Sequence, residues 1–177
     1  MGPRSSSDGL TGNIVLTGFM GTGKTTIGRL LAERLNRTFV DTDQVIEERH
    51  GPIPRIFKDQ GEAAFREMER ALATNLSTAH DLVIATGGRL MLDQDARAAL
   101  ERSARVFCLA ADIDVLVDRL ASEADNRPLL DEDPETRIRE LLEQRAAQYA
   151  AFEQVETSGR SPEEVVESIL DAIADSG

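Results

Sequence analysis

A single cysteine, two histidines and two lysines in 177 residues narrow the chemistry open to this chain before any motif is read. Cys108 has no partner for an internal disulfide and lies in the apolar run RVFCLA, where a small buried thiol is expected. His50 and His80 stand apart, without metal-ligand spacing, and read as surface or capping residues. No run of about 18 apolar residues occurs, which excludes a membrane-spanning helix. Residues 1–12 are rich in Ser and Gly and lack the apolar centre of a signal peptide, so they are expected to form a flexible tail and the protein to be cytoplasmic. Residues 13–177 are then expected to be one domain with a real core. Positive charge is scarce as well. Lys and Arg number 20 against 32 Asp and Glu, a formal charge of −12, which repels a polyanionic duplex and argues against nucleic acid as a partner. No internal repeat is present.

What is there alternates. Apolar runs of strand length, at Asn13–Thr17, Thr38–Asp41, Leu82–Thr86, Arg105–Leu109 and Gln154–Thr157, are separated by helical patterns. Phe65, Met68, Leu72 and Leu76 form one helical stripe and Ile113, Leu116, Val117 and Leu120 another, while Ser161-Pro162-Glu163-Glu164 carries a capping box for the last helix. Strand–helix alternation predicts an α/β fold with a parallel sheet covered on both faces. Ligands in such sheets gather at the carboxyl ends of the strands.

After the first strand comes GFMGTGKT, Gly18 to Thr25, a match to the phosphate-binding pattern G-x-x-x-x-G-K-[ST] in its strand–loop–helix setting. With lysine at only Lys24 and Lys58, such a match arises by accident in roughly one chain per thousand of this composition. Glycines let backbone N–H groups turn toward phosphates, Lys24 supplies a compact point charge, and Thr25 offers a hydroxyl to Mg²⁺. Neither lysine sits in an Asn-Lys-x-Asp element, which disfavours a GTPase.

Strand ends further along carry acceptor-side candidates. Asp41 and Asp43 in VDTDQ lie two apart, on the same side if the segment is extended, and paired carboxylates beside a phosphate site can divide metal-water binding from activation of a hydroxyl. Asp43 could equally cap the helix starting at Gln44. Arg66 has Glu62 four residues earlier, the spacing of an ordinary helix ion pair. Arg145 falls on the apolar stripe of Ile138, Leu142 and Tyr149, where a guanidinium needs an anion. Arg127 opens RPLL after a stretch of small and polar residues. It could ride a lid toward a transferring phosphate, or belong to a surface loop rich in Glu123, Asp125, Asp131, Glu132 and Asp133. In ATGGRLML, Gly87 and Gly88 bare the backbone for a small polyol.

The order GFMGTGKTT, DTD, FKDQGEAAFREME, TGG, RPLL, Arg145 with Tyr149 four later, and TSGRSPEE resembles the shikimate kinase family over nearly the whole chain after the tail. That resemblance implies a three-layer P-loop fold like that of nucleoside-monophosphate kinases, with a five-stranded parallel sheet flanked by helices and a mobile lid near 119–133. It implies a monomer acting in the shikimate pathway of aromatic amino acid biosynthesis, with ATP as co-substrate, Mg²⁺ as cofactor and transfer to the 3-hydroxyl of shikimate. Gly21, Thr22, Gly23, Lys24, Thr25 and Thr26 would hold ATP phosphates, and Thr25 and Asp41 the metal. Asp43 would hold and activate the acceptor hydroxyl. Arg66 and Arg145 would clamp its carboxylate, and Gly87 and Gly88 would meet its ring hydroxyls. Arg127 would be the lid arginine, sharing catalysis with Lys24 and Asp43, while Arg160 and Pro162 would border the adenine.

One position departs from the family pattern. A third glycine is expected where Arg89 stands. If its side chain points outward, the acceptor stays shikimate; if inward, it adds a cation beside the acceptor. The inward case opens the alternative of a related kinase for another hydroxy acid or polyol, such as gluconate. A non-catalytic nucleotide sensor is the alternative of another class.

Overall fold

The computed structural model describes residues 12–122 and 133–175. Five parallel strands run in the order β2-β3-β1-β4-β5, with β1 at Asn13–Gly18, β2 at Thr38–Asp41, β3 at Leu82–Ala85, β4 at Ala104–Ala110 and β5 at Glu153–Glu156. Every expected strand is present, with ends shifted by one residue at most. The helices are α1 at Lys24–Leu35, α2 at Thr42–His50, α3 at Ile53–Leu76, α4 at Gln94–Glu101, α5 at Ile113–Ser122, α6 at Pro134–Tyr149 and α7 at Pro162–Ala174.

Strand β1 is buried along its whole length, as a central parallel strand covered on both faces must be. Its side chains alternate between two cores. Ile14 and Leu16 join Val83, Phe107 and Leu109 under α1 and α7, with Leu31, Val166 and Ile169. Val15 joins Ile84, Cys108, Leu100, Leu116 and Tyr149 on the opposite face. That makes three layers. Cys108 is buried, and removal from water pushes its thiol up to about 11, which makes this cysteine an inert core residue.

Local chemistry sets the helix ends. Ser161 accepts from the Glu164 amide while Glu164 reaches back to the Ser161 amide, so the expected capping box starts α7. Asn36 closes α1 in the left-handed conformation that Asn tolerates. Helix α3 is broken at Gly61, whose φ of 86° no helix accommodates, so its two halves run in different directions. A third, small core of Ile46, Ile56, Phe65 and Leu72 fastens α2 to α3 beside the sheet.

Strand order reverses around β1, which pairs with β3 on one side and β4 on the other. The crevice at the carboxyl ends of β1, β2 and β3 is therefore the place for ligands. Of the expected lid, residues 119–122 form the last turn of α5 and Asp133 caps α6. Residues 123–132, Arg127 among them, lie outside the described residues.

Candidate active site

The loop from Gly18 to Gly23 delivers α1 with its amino end facing the crevice, the arrangement that binds phosphates through backbone N–H groups and the helix dipole. A side chain at Gly18 would place Cβ 2.3 Å from the Leu109 carbonyl oxygen, and its φ of 132° suits only glycine. Thr22 is buried, and its hydroxyl and its amide both donate to the Phe19 carbonyl, at 2.8 and 3.4 Å, so this threonine braces the loop. The Lys24 ammonium donates to the Gly18 and Phe19 carbonyls at 2.9 and 2.8 Å, curled back over the loop it serves. Thr25 and Thr26 sit on the first turn of α1, beside the mouth of the loop.

The two aspartates do not share an extended segment. Asp41 ends β2 and Asp43 already lies in the first turn of α2, because Asp41 itself caps that helix, accepting from the amides of Asp43 and Gln44 at 3.1 and 3.3 Å. The cap is therefore Asp41, not Asp43. Its second oxygen accepts from the Thr25 hydroxyl at 2.9 Å. A hydroxyl and a carboxylate side by side form a hard oxygen pair suited to Mg²⁺. Among the described residues no group of three or more His, Cys, Asp or Glu could hold a metal by itself. A magnesium ion here fits as one that arrives on nucleotide phosphates.

Asp43 is turned into the crevice. Burial raises its carboxyl above the ordinary 3.8, Asp41 adds to the rise, and the Lys24 and Arg66 charges oppose it. The carboxylate lies against the backbone of Gly87, where a Cβ would stand 2.4 Å from Asp43 Oδ1. The space left by that glycine is thus occupied by the aspartate itself, which differs from a cavity kept open for substrate. The Gly87 amide donates to the buried Thr42 hydroxyl at 2.9 Å, and a Cβ at Gly88 would lie 3.7 Å from an Arg145 guanidinium nitrogen.

Arg66 lies over the Phe65 ring and donates to Glu62 and to Glu69, the latter only 2% exposed. Burial works against the Arg66 charge, but these two carboxylates outweigh it and hold the guanidinium firmly protonated. Burial raises the Glu69 carboxyl while Arg66 opposes the rise. Arg145 lies over the Phe19 ring, 5.4 Å from its centroid, and forms no ion pair among the described residues. Its helix also brings Tyr149, which donates to the Gly88 carbonyl at 2.8 Å and fixes the glycine turn. Arg66 is thus within electrostatic reach of Asp43, and Arg145 lies beside Gly88, next to the glycine that Asp43 touches.

Arg89 takes φ −122° and ψ −6°, a conformation open to any residue, so the backbone here has no need of glycine. Its side chain is 52% exposed and runs along the rim to Glu62, 2.9 Å away. Arg160 turns from the crevice, donating to the Glu156 and Glu164 carbonyls and to Ser168, so it holds the loop before α7, which Pro162 opens.

Several residues of the site escape sequence reasoning. Glu69 carries a signal: four after Phe65 and three before Leu72, it sits on the apolar stripe, where a carboxylate calls for a cation. Thr42 and Arg119 carry none. Arg119 donates to the Gly21 carbonyl at 3.0 Å and to Thr157 on the loop after β5, clamping the phosphate loop to the adjacent strand end.

A family model described as "Shikimate kinase" matches residues 20–174. The chain belongs to the shikimate kinase family. Two relatives of that name, from Thermodesulfovibrio yellowstonii and Streptomyces coelicolor, are 44% and 45% identical over 161 and 163 residues, covering 89% and 90% of this chain and 92% and 94% of theirs. A solved structure described as shikimate kinase from Acinetobacter baumannii in complex with shikimate superposes with a TM-score of 0.86 at 36% identity, covering 94% of each chain. Membership makes this a small-molecule kinase with a P-loop kinase fold. Among the described residues no helix is long and apolar enough to cross a membrane.

Proposed function

We propose that this chain transfers the γ-phosphoryl group of ATP to the 3-hydroxyl of shikimate. One observation carries the reading. The Asp43 carboxylate lies against the Gly87 backbone within electrostatic reach of both the phosphate-loop lysine and Arg66, which supports a place for it between phosphate donor and acceptor.

Phosphoryl transfer asks little covalent chemistry of a protein, and positioning and charge do most of the work. In this reading the Gly21 and Gly23 amides, on the loop that Thr22 braces, and the first turn of α1, with Thr25 and Thr26, cradle the ATP phosphates. Lys24 exchanges its loop carbonyls for phosphate oxygens, and Arg127 joins it from the lid. Thr25 and Asp41 would hold Mg²⁺, which when bound neutralises phosphate charge. Asp43 accepts the hydrogen bond of the acceptor hydroxyl and takes its proton as the oxygen attacks; its raised pKa suits a base. Arg66 and Arg145 hold the acceptor carboxylate, and the backbone of Gly87 and Gly88 meets the ring hydroxyls. The loop shaped by Arg160, with Pro162, borders the adenine. The surroundings are the cytoplasm, the working unit a monomer, and neither membrane nor nucleic acid takes part.

ADP release with ATP and Mg²⁺ tests this directly, comparing shikimate, gluconate and no acceptor. Rapid release with shikimate alone is expected. Release driven by gluconate would move the acceptor to another hydroxy acid, and release independent of any acceptor would reduce the protein to an ATPase or sensor.

A further inference from the structure

Arg66 is a poor anion receptor as it stands. One guanidinium faces two carboxylates, Glu62 and Glu69, so this corner of the crevice carries a formal excess of negative charge where the acceptor carboxylate must approach. Arg89 cancels that excess. It donates to Glu62 Oε1, the same oxygen that accepts from Arg66 at 3.0 and 3.3 Å.

We infer that Arg89 is a positioning residue for acceptor binding: it neutralises Glu62, which lets the acceptor carboxylate approach Arg66. The inference rests on the proposed function. Arg66 spends its Nε–H and one N–H of a terminal nitrogen on Glu62 and one N–H of the other on Glu69, which leaves one N–H on each terminal nitrogen for the acceptor carboxylate. Glu69 is buried and is matched by Arg66, so the exposed Glu62 is the negative charge left facing the incoming anion. Left alone, Glu62 would repel that carboxylate; paired with Arg89, it does not. The guanidinium works through Glu62 and needs no contact with substrate, which explains how an arginine fits where the family pattern has glycine.

The test is steady-state kinetics on the full-length protein, Arg89→Ala, Glu62→Gln and the double variant, varying shikimate at saturating ATP and Mg²⁺. Arg89→Ala is expected to raise KM for shikimate about threefold to fivefold, the size of a partly exposed charge interaction, while kcat and KM for ATP move less than about twofold. In the Glu62→Gln background the same substitution should do almost nothing, because the charge it screens is gone. Arg89→Lys should restore most of the native KM, which separates charge from packing. An unchanged KM in Arg89→Ala overturns the inference, as does an equal rise with and without Glu62, which would mean direct contact or a shape effect. Absence of shikimate turnover in the native protein would overturn the proposed function first and this inference with it.

Discussion

Replacing Gly87 by alanine isolates the geometry of Asp43 from its chemistry. The added Cβ would stand 2.4 Å from Asp43 Oδ1 and 3.1 Å from its Cγ, against an ordinary contact of 3.4 Å or more. Relief therefore takes a shift of about 1 Å in the carboxylate, and a misplacement of that size costs roughly a hundredfold in rate when the displaced group orients the reacting atom. Stability should barely respond. The obstacle is the end of a rotatable side chain, so the strain is about 0.5–1.5 kcal/mol. The backbone at Gly87 is not left-handed, so alanine also narrows the unfolded ensemble, which returns about 0.4–1 kcal/mol. Thermal melting of Gly87→Ala should stay within about 4 °C of the native protein while kcat for shikimate falls about a hundredfold. Gly88→Ala is the control: its Cβ meets Arg145 at an ordinary 3.7 Å, and its kcat should fall less than about tenfold. A Gly87→Ala enzyme turning over within about threefold of native, with KM unmoved, would refute the assignment of Asp43 as the group whose position sets the rate.

The pH behaviour of Asp43 gives a second expectation. Its folded pKa is raised, so its contribution to stability is complete below the ordinary carboxylate value and is lost as pH rises through the folded pKa. Asp43→Asn should melt higher relative to native at pH 7.5 than at pH 4, while native turnover should fall on the acid side with an apparent pKa above 3.8. An acid limb at or below that value would remove Asp43 as the base. Finally, Cys108, buried and with its thiol raised to about 11, should resist a disulfide-exchange reagent in the folded protein and react at once in denaturant; rapid native-state reaction would show that this face of the sheet opens.

Strands and the phosphate loop are legible in the sequence because each is a local signal: a run of apolar residues, or eight residues whose glycines and lysine have one well-known use. Arg145 is legible for a similar reason, since a charge on an apolar stripe has to be explained. The geometry of Asp41 and Asp43 is not, because the helix starts at Thr42, and a cap is decided by one hydrogen bond that a period-two pattern does not encode. Thr42, Arg119 and the Glu62–Arg89 pair are invisible because each joins segments far apart in the chain. Gly87 illustrates the difference: the sequence predicts bare backbone, but only the fold shows that the atom needing the room belongs to Asp43.

The break at Gly61 divides labour within α3. Residues after it carry Glu62, Arg66 and Glu69 and are anchored to the sheet through Ala73 and to the small core through Phe65 and Leu72. The shorter piece before it carries Phe57 on its exposed side and is held chiefly by Ile56 in that small core. The first piece reaches the longer one through the Phe57–Phe65 ring contact, 5.0 Å between centroids, and has no residue in the main core. Substitution before the hinge away from Ile56 and Phe57 should therefore be tolerated more readily than substitution in the longer piece beyond it.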